Sequence, residues 1–586
     1  MNDLTSDPIR NRIEKLKEKR KKILALPSEK ALEAILESPD SLPLVHSFPA
    51  EDFYFLIHDI GLDDSMELLA MASSTQWEYI FDQEIWEKDR VGSQALVKWF
   101  DLFLRSDAKR FVKWLDEDRL DIAELFLFNH IEIIKREHDE DPSDFSSDYF
   151  TFDDVYYIRI KDSVPDGRKE EVPGGKRERV IINLLEKIAE EDYARYQSIL
   201  TEVTAVIPAE TEEEVYRIKN VRLAERGFLP FEEAVGIYQP MTSGEKNMFP
   251  AKKAFSDGDE TIAKGTPFYH LITMDERDFF VRILKSSPTE DISPDLQAEF
   301  ATLCNTLAVA DNKKIRGREE LKAVVEKACG YINLGLCRIS GAKNTPPPEM
   351  AREIIRQHSL SRIFRAGYGM VLDLQKQVRE WKKESWMDSK GLNLSFWGEE
   401  YMGVIGGLLL KRPLFFDNYK RGVLYREFDD MTDIRETGTI ISDILVMDDL
   451  LSRMAIDVGP LPDQFLTCKT LLLTLWARNW LGLSMKPVPI DMNTFRQFFT
   501  FLFSCDETGR KEGRESVVDA SVKESFLTWC AEETGMTTEE ISLRAGHVME
   551  SLFSEIESEY GRVSAADLDP RYGFLFLITR EANDEC

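Results

Sequence analysis

Between residues 28 and 136 one local pattern keeps returning: apolar side chains three or four positions apart, in short runs, each closed by proline, glycine or serine. That spacing puts the apolar groups on one face of a 3.6-residue helix. A short amphipathic helix can bury its stripe only against other helices. The pattern therefore constrains the chain to a helix-on-helix fold. EKALEAILES carries Leu32, Ile35 and Leu36 at this spacing, and Ser28 is expected to be its N-cap. PAEDFYFLIHDIG opens at Pro49 and stops at Gly61. LDDSMELLAMAS, SSTQWEYIFDQEIW and a run from Val91 to Leu104 follow. Ser106 and Asp107 start DAKRFVKWLDED, and DRLDIAELFLFNHIEIIKRE reads as one more helix.

Two of these segments superpose at an offset of 34 residues, so that Trp77, Ile80, Phe81 and Asp82 match Phe111, Trp114, Leu115 and Asp116. Phe53, Leu56 and Ile57 fit the same spacing at an offset of 24. A unit that cannot bury its own stripe must stack on its neighbours. The run PAEDFYFLIHDIGLDDSMELLAMASSTQWEYIFD resembles the short-helix superhelix at the N-terminus of bacterial magnesium transporters of the MgtE type. The resemblance covers roughly residues 45–135 and implies a right-handed helical stack. The transporter's membrane-spanning part has no counterpart, so magnesium transport is not implied. Over its length the chain also resembles an uncharacterised bacterial family, which implies no activity.

The expected fold is mainly α, a helical-repeat (superhelical) region followed by a compact multi-helix domain, with a few short strands. Residues 1–27 are read as a basic N-terminal helix, since 10–22 hold eight basic and two acidic side chains. Its expected role is a solvated leading helix or an arm for an acidic surface. Residues 28–136 form the repeat region. Residues 137–179 read as an acidic loop with a possible β-hairpin built on DVYYIRI, rich in the turn signals Pro165-Asp166-Gly167 and Pro173-Gly174-Gly175. Helical periodicity resumes over 180–241, continuous through IINLLEKIAEEDYARYQSILTEVTAVI. In the next helix Arg217, Arg222 and Arg226 follow Glu212 to Glu214, an order that suits the helix dipole without any site. Residues 242–265 read as a linker, TPFYHLITM as a strand, and 266–586 as a denser helical domain ending in FLFLITRE, a strand or short buried helix.

The formal charge of −31 repels phosphate backbones and anionic membranes, so nucleic acid is excluded as a general partner. The polar start MNDLTSDPIRNR has no signal-peptide core, and no apolar run approaches the ~20 residues of a spanning helix. A cytoplasmic location without membrane insertion is expected. The seven cysteines are widely spaced with no CxxC pair, which points to buried thiols rather than disulfides or zinc.

No catalytic motif is legible. The seven histidines include no HxxxH or HExxH pair. Gly367 and Gly369, like Gly403, Gly406 and Gly407, lack the context of a phosphate loop and are read as close helix packing. His138 and the carboxylates from Glu137 to Asp154 offer at most weak divalent-cation binding. No cofactor or metal site is expected. The segment 412–437 mixes aromatics with both charge signs, and Arg412, Asp417, Tyr419, Arg421, Tyr425, Arg426, Glu427 and Asp433 are read as a polar groove. Three readings follow. The first is a protein-interaction or scaffold module with protein partners. The second is an enzyme with its site around 360–440. The third is a divalent-cation-responsive regulator.

Overall fold

The computed structural model describes residues 6–87, 89–162, 175–240, 270, 273–285, 294–456, 466–503 and 516–579. It is mainly helical, with small two-stranded antiparallel sheets. The chain divides into two compact units. The first comprises 1–332 and 345–365, the second 333–344 and 366–586. The expected linker 242–265 and most of TPFYHLITM lie outside the described residues.

The first unit opens with α1 (Ser6–Leu24), α2 (Ser28–Leu36), α3 (Ser41–Ser47), α4 (Ala50–Ile60), α5 (Met66–Met71) and α6 (Ser74–Glu84). Pro49 and Gly61 bound α4 as the sequence predicts, Gly61 at φ 106°. Ser28 does not cap α2. It is the first helical residue, and Pro27 precedes it. The stronger cap is Ser73, whose hydroxyl accepts from the Gln76 N–H while the Gln76 side chain returns a bond to the Ser73 N–H. After a short ladder of β1 (Trp86–Glu87) and β2 (Arg90–Val91), α7 (Ser93–Asp118) is broken at Asp107, with φ −159°. Asp107 there accepts the Arg110 N–H at 3.1 Å, so the helix start expected at 106–107 exists as a kink.

Beyond α8 (Leu120–His130) the helical reading of IEIIK fails. Ile131–Lys135 is a strand, β3, paired antiparallel with β4 (Tyr156–Ile160). Its β-branched residues fit a pleated surface better than a helix. The acidic loop is the connection of this hairpin. Asp153 accepts the N–H groups of Val155 and Tyr156, and Asp154 accepts the Tyr157 hydroxyl at 2.7 Å, so these carboxylates serve the turn. The continuous helix expected next is two helices, α9 (Lys176–Glu191) and α10 (Tyr193–Val203), split at Asp192, which caps the second by accepting the Arg195 N–H. Then come α11 (Pro208–Glu225), α12 (Phe231–Ala234), α13 (Phe279–Lys285) and α14 (Pro294–Ala310).

The residues matched at the 34-residue offset meet in a single core. Trp77 lies 6.3 Å from Phe111 and 5.8 Å from Trp114, ring centre to ring centre, and Phe81 lies 5.1 Å from Trp114. The two matched aspartates share a use as well. Asp82 accepts a bidentate bond from Arg222 (2.8 and 2.5 Å), and Asp116 accepts from Arg195 (2.5 Å). Arg222 and Arg226 therefore do more than complement a helix dipole. They tie α11 to Asp82 on α6 and Glu51 on α4.

Glu84, whose side chain is 2% exposed, is the most connected of these carboxylates. It accepts from the Tyr54 hydroxyl at 2.6 Å and from Arg316 Nε and Nη2 at 3.0 Å each. Burial acts to raise its pKa. The bonds from His58, Tyr54 and Arg316 outweigh burial and hold the carboxyl well below the usual range. Two histidines of this unit, His130 and His270, are core groups too. Burial lowers His130 and His270 to about 4 each.

Helix α15 (Arg318–Ser340) contributes 318–332 to the first unit and 333–340 to the second, and α16 (Pro348–Gln357) precedes α17 (Leu360–Glu384). The second unit continues with α18 (Trp386–Ser389), α19 (Gly398–Leu409), the hairpin β5 (Phe415–Phe416) and β6 (Tyr425–Arg426), α20 (Met431–Arg453) and α21 (Cys468–Trp480). It closes with α22 (Met492–Leu502), α23 (Ala520–Thr534) and α24 (Thr538–Tyr560). Trp476 centres its core, 4.9 Å from both Phe498 and Phe526. The described part of FLFLITRE, residues 574–579, is neither a helix nor a full strand. It makes one parallel bridge, Ile578 to Ile490. The five described cysteines are buried and form no disulfide, and burial pushes the Cys468 thiol up to about 12. Among the described residues no helix is long and apolar enough to cross a membrane.

Candidate functional site

The segment 412–437 folds into a hairpin laid across α19. Gly403 and Gly407 make that possible. A Cβ on Gly403 would stand 2.4 Å from the Phe416 ring, and one on Gly407 would stand 2.6 Å from the Leu414 carbonyl. The small residues of MGVIGGLLL thus admit the hairpin rather than another helix. Gly369 does approach a helix, since its Cβ would meet Arg338 of α15 at 3.3 Å.

Three of the eight residues read as a groove form a buried ionic knot. Arg426 donates from Nε to Asp417 at 2.8 Å, and from Nη1 and Nη2 to Asp433 at 2.6 and 2.7 Å. The side chains of Asp417 and Asp433 are 1% and 5% exposed. Burial would lower the Arg426 pKa, but the bonds to Asp433 and Asp417 raise it. The guanidinium also stacks on the Phe415 ring, 4.3 Å from its centre. Asp417 closes the hairpin tip by accepting the Arg421 N–H at 2.6 Å. Tyr425 donates its hydroxyl to the Gly403 carbonyl, Arg421 pairs with Asp429 at 3.0 Å, and the Glu427 carbonyl accepts from Arg426. Tyr419 stands at the tip with φ 61° and is 65% exposed. Arg412 precedes β5 and is half-buried.

The knot supports one wall of a cavity of about 510 Å³ lined by neighbours of those eight residues. The hairpin gives Phe415, Phe416, Asn418 and Lys420. Helix α20 gives a stripe at helical spacing, Thr432, Arg435, Glu436, Thr439, Ile440 and Asp443. Glu400, Tyr401 and Val404 of α19, Lys469 of α21, and His547 and Ser551 of α24 complete it. The volume falls within the ~300–1,000 Å³ of small-molecule sites.

His547 Nδ1 donates to Asp443 Oδ1 at 3.2 Å. A neutral ring bonded this way presents Nε2 as a proton acceptor. The ring is 70% exposed, while Asp443 is 11% exposed. Burial raises the Asp443 pKa against the opposing pull of His547 and Lys469. Lys469 lies over the Tyr401 ring at 5.0 Å and pairs with Glu555. Burial, and after it the Asp443 charge, raise the Tyr401 hydroxyl above its ordinary pKa.

Residues 9–579 match one family model. The chain belongs to DUF6178, a family of unknown function. No curated protein and no solved structure matches it. The family assigns no residue a role, so the chemistry rests on the cavity. A second cavity, of about 170 Å³, lies in the first unit among Val112, Leu115, Ala123, Ile188 and Ile199. Its rim cations Lys109 and Arg195 already hold Glu191 and Asp116. Among the described residues no group of three or more His, Cys, Asp or Glu side chains is placed to hold a metal ion.

His547, Lys469 and Glu400 escaped the sequence reading because they come from three separate helices. Arg435, Thr439 and Asp443 left a signal in their i, i+4, i+8 spacing, which puts three polar side chains on one stripe of the helix.

Proposed function

We propose that the protein binds a small polar molecule in the cavity of its second unit, with His547 as proton acceptor and Asp443 as the residue that orients it. The His547–Asp443 pair on the wall of a ligand-sized cavity carries this reading. A thermal-shift screen of organic acids, amines, amino acids and phosphate esters tests it, run on the full chain and on Thr439→Trp, which puts an indole into the cavity. At least one class should raise the melting temperature of the wild type and not of T439W. A screen in which no compound separates the two proteins would end the proposal.

A second reading concerns the first unit, as a module for a protein partner. Helix α11 is anchored by Arg222 and Arg226, yet it leaves Ile218 and Val221 exposed, at 36% and 55%. Crosslinking in native lysate should yield a stoichiometric partner that is lost in Val221→Asp. Recovery of the same adducts from both proteins would rule that surface out.

A further inference from the structure

The cavity's ionic side chains are spread along its length with both signs at each end, Arg435, Lys420 and Glu436 at one and Asp443, Glu400, His547 and Lys469 at the other. Arg435 and Asp443 are eight residues apart on α20, about 12 Å along the helix axis. At the Arg435 end stands Lys420, 3.7 Å from Glu436. At the Asp443 end stand Glu400 and Tyr401, and the Tyr401 ring feels the negative charges of Asp443, Glu555 and Glu400.

Most of these groups are already paired within the protein: Asp443 with His547, Lys469 with Glu555, and Lys420 with Glu436. Two are not. Arg435 bonds only to the Met431 carbonyl and the Thr432 hydroxyl, and has no carboxylate partner among the described residues. Glu400 has no cationic partner among the described residues. The cavity therefore offers an unneutralised guanidinium at one end and an unneutralised carboxylate at the other. Phe415, Phe416 and Val404 supply apolar surface in the same lining.

We infer that the ligand is a zwitterion with separated charges: a carboxylate that Arg435 takes, an ammonium that Glu400 takes, and an apolar or peptide spacer. An ω-amino acid and an unblocked short peptide share this chemistry. A guanidinium meets a carboxylate in planar two-point geometry. With its ammonium at the acidic end, such a ligand would also bring an N–H within the domain of the His547–Asp443 pair. The inference rests on the proposed binding role of this cavity.

Isothermal titration of the full chain tests it with four probes: 6-aminohexanoate, triglycine, hexanoate and hexylamine. Either zwitterion should bind more tightly than both singly charged probes. Arg435→Met and Glu400→Gln should each weaken it by about fivefold, the upper end for a solvent-accessible ion pair. Both residues are exposed, so circular dichroism should show the fold retained. Hexanoate or hexylamine binding as tightly as the zwitterions would overturn the inference and leave the cavity a binding site. Zwitterion binding unchanged by both substitutions would overturn it too. Silence from all four probes would overturn it as well, and the T439W screen then decides separately whether the cavity binds anything.

Discussion

Replacing Arg426 by methionine keeps most of the side-chain volume but removes the cation between Asp417 and Asp433. Both carboxylates are buried, at 1% and 5% exposure, and lose three charge-assisted bonds between them. Breaking a buried pair by removing one partner costs about 3–5 kcal/mol, because the remaining charge stays desolvated. A chain of two units need not unfold in one step, so a readout local to the hairpin reports this loss most directly. Native-state hydrogen exchange at the hairpin is such a readout. The amides of Asp417, Tyr419 and Arg421 are bonded within the turn. Their opening free energy should fall by about 3 kcal/mol or more, roughly a hundredfold in protection. The pH dependence carries a second signature. In the wild type, burial tends to raise the Asp417 pKa, but bonds from Arg426 and the Arg421 N–H hold it below the usual value. Its contribution is thus present above the unfolded pKa of about 4 and is lost as pH falls. In the variant two unpaired carboxylates repel, and taking up a proton relieves them. The deficit should therefore shrink between pH 7 and pH 4. A deficit under ~1 kcal/mol, or one that does not change with pH, would refute the claim that the knot holds the hairpin.

Gly403→Ala should displace Phe416 and cost about 1–3 kcal/mol by overpacking, read as faster exchange in the hairpin with exchange in α22 unchanged. Arg222→Met should free α11 from the buried Asp82 and destabilise the first unit by about 3 kcal/mol, seen as new proteolytic cleavage within 208–225. Glu124 has its carboxyl raised to about 7, by burial first and then by Glu202. Its folded pKa lies above its unfolded one, so stability falls as pH rises from about 4.5 to 7. Glu124→Gln should match the wild type near pH 5 and melt at a higher temperature at pH 8. Equal melting temperatures at pH 8 would contradict this assignment.

Helices bounded by Pro49, Gly61 and Gly227 were legible because those residues act locally, through φ and the missing N–H. IEIIK was not, because only pairing with residues 156–160 makes it a strand. Asp192 divides a continuous periodicity since its carboxylate can cap, which no apolar count registers. The segment 412–437 was picked out by its mixture of rings and charges. Its eight polar residues turned out to sit in and around an ionic knot, while the cavity takes its lining from the positions between them and from three other helices. Spatial convergence of that kind has no local trace.

The bond between Glu84 and Arg316 has a consequence for how the protein is made. The two residues are 232 positions apart. At ~5–20 residues per second, a ribosome needs roughly 10–50 s to add that stretch. Throughout that time Tyr54, His58 and Trp99 can be in place around a carboxylate whose cation has not been synthesised. The early helices cannot seal Glu84 from water in its charged form during that interval. Closure of these helices around Glu84 as a carboxylate with its full set of partners has to wait for the segment that carries Arg316.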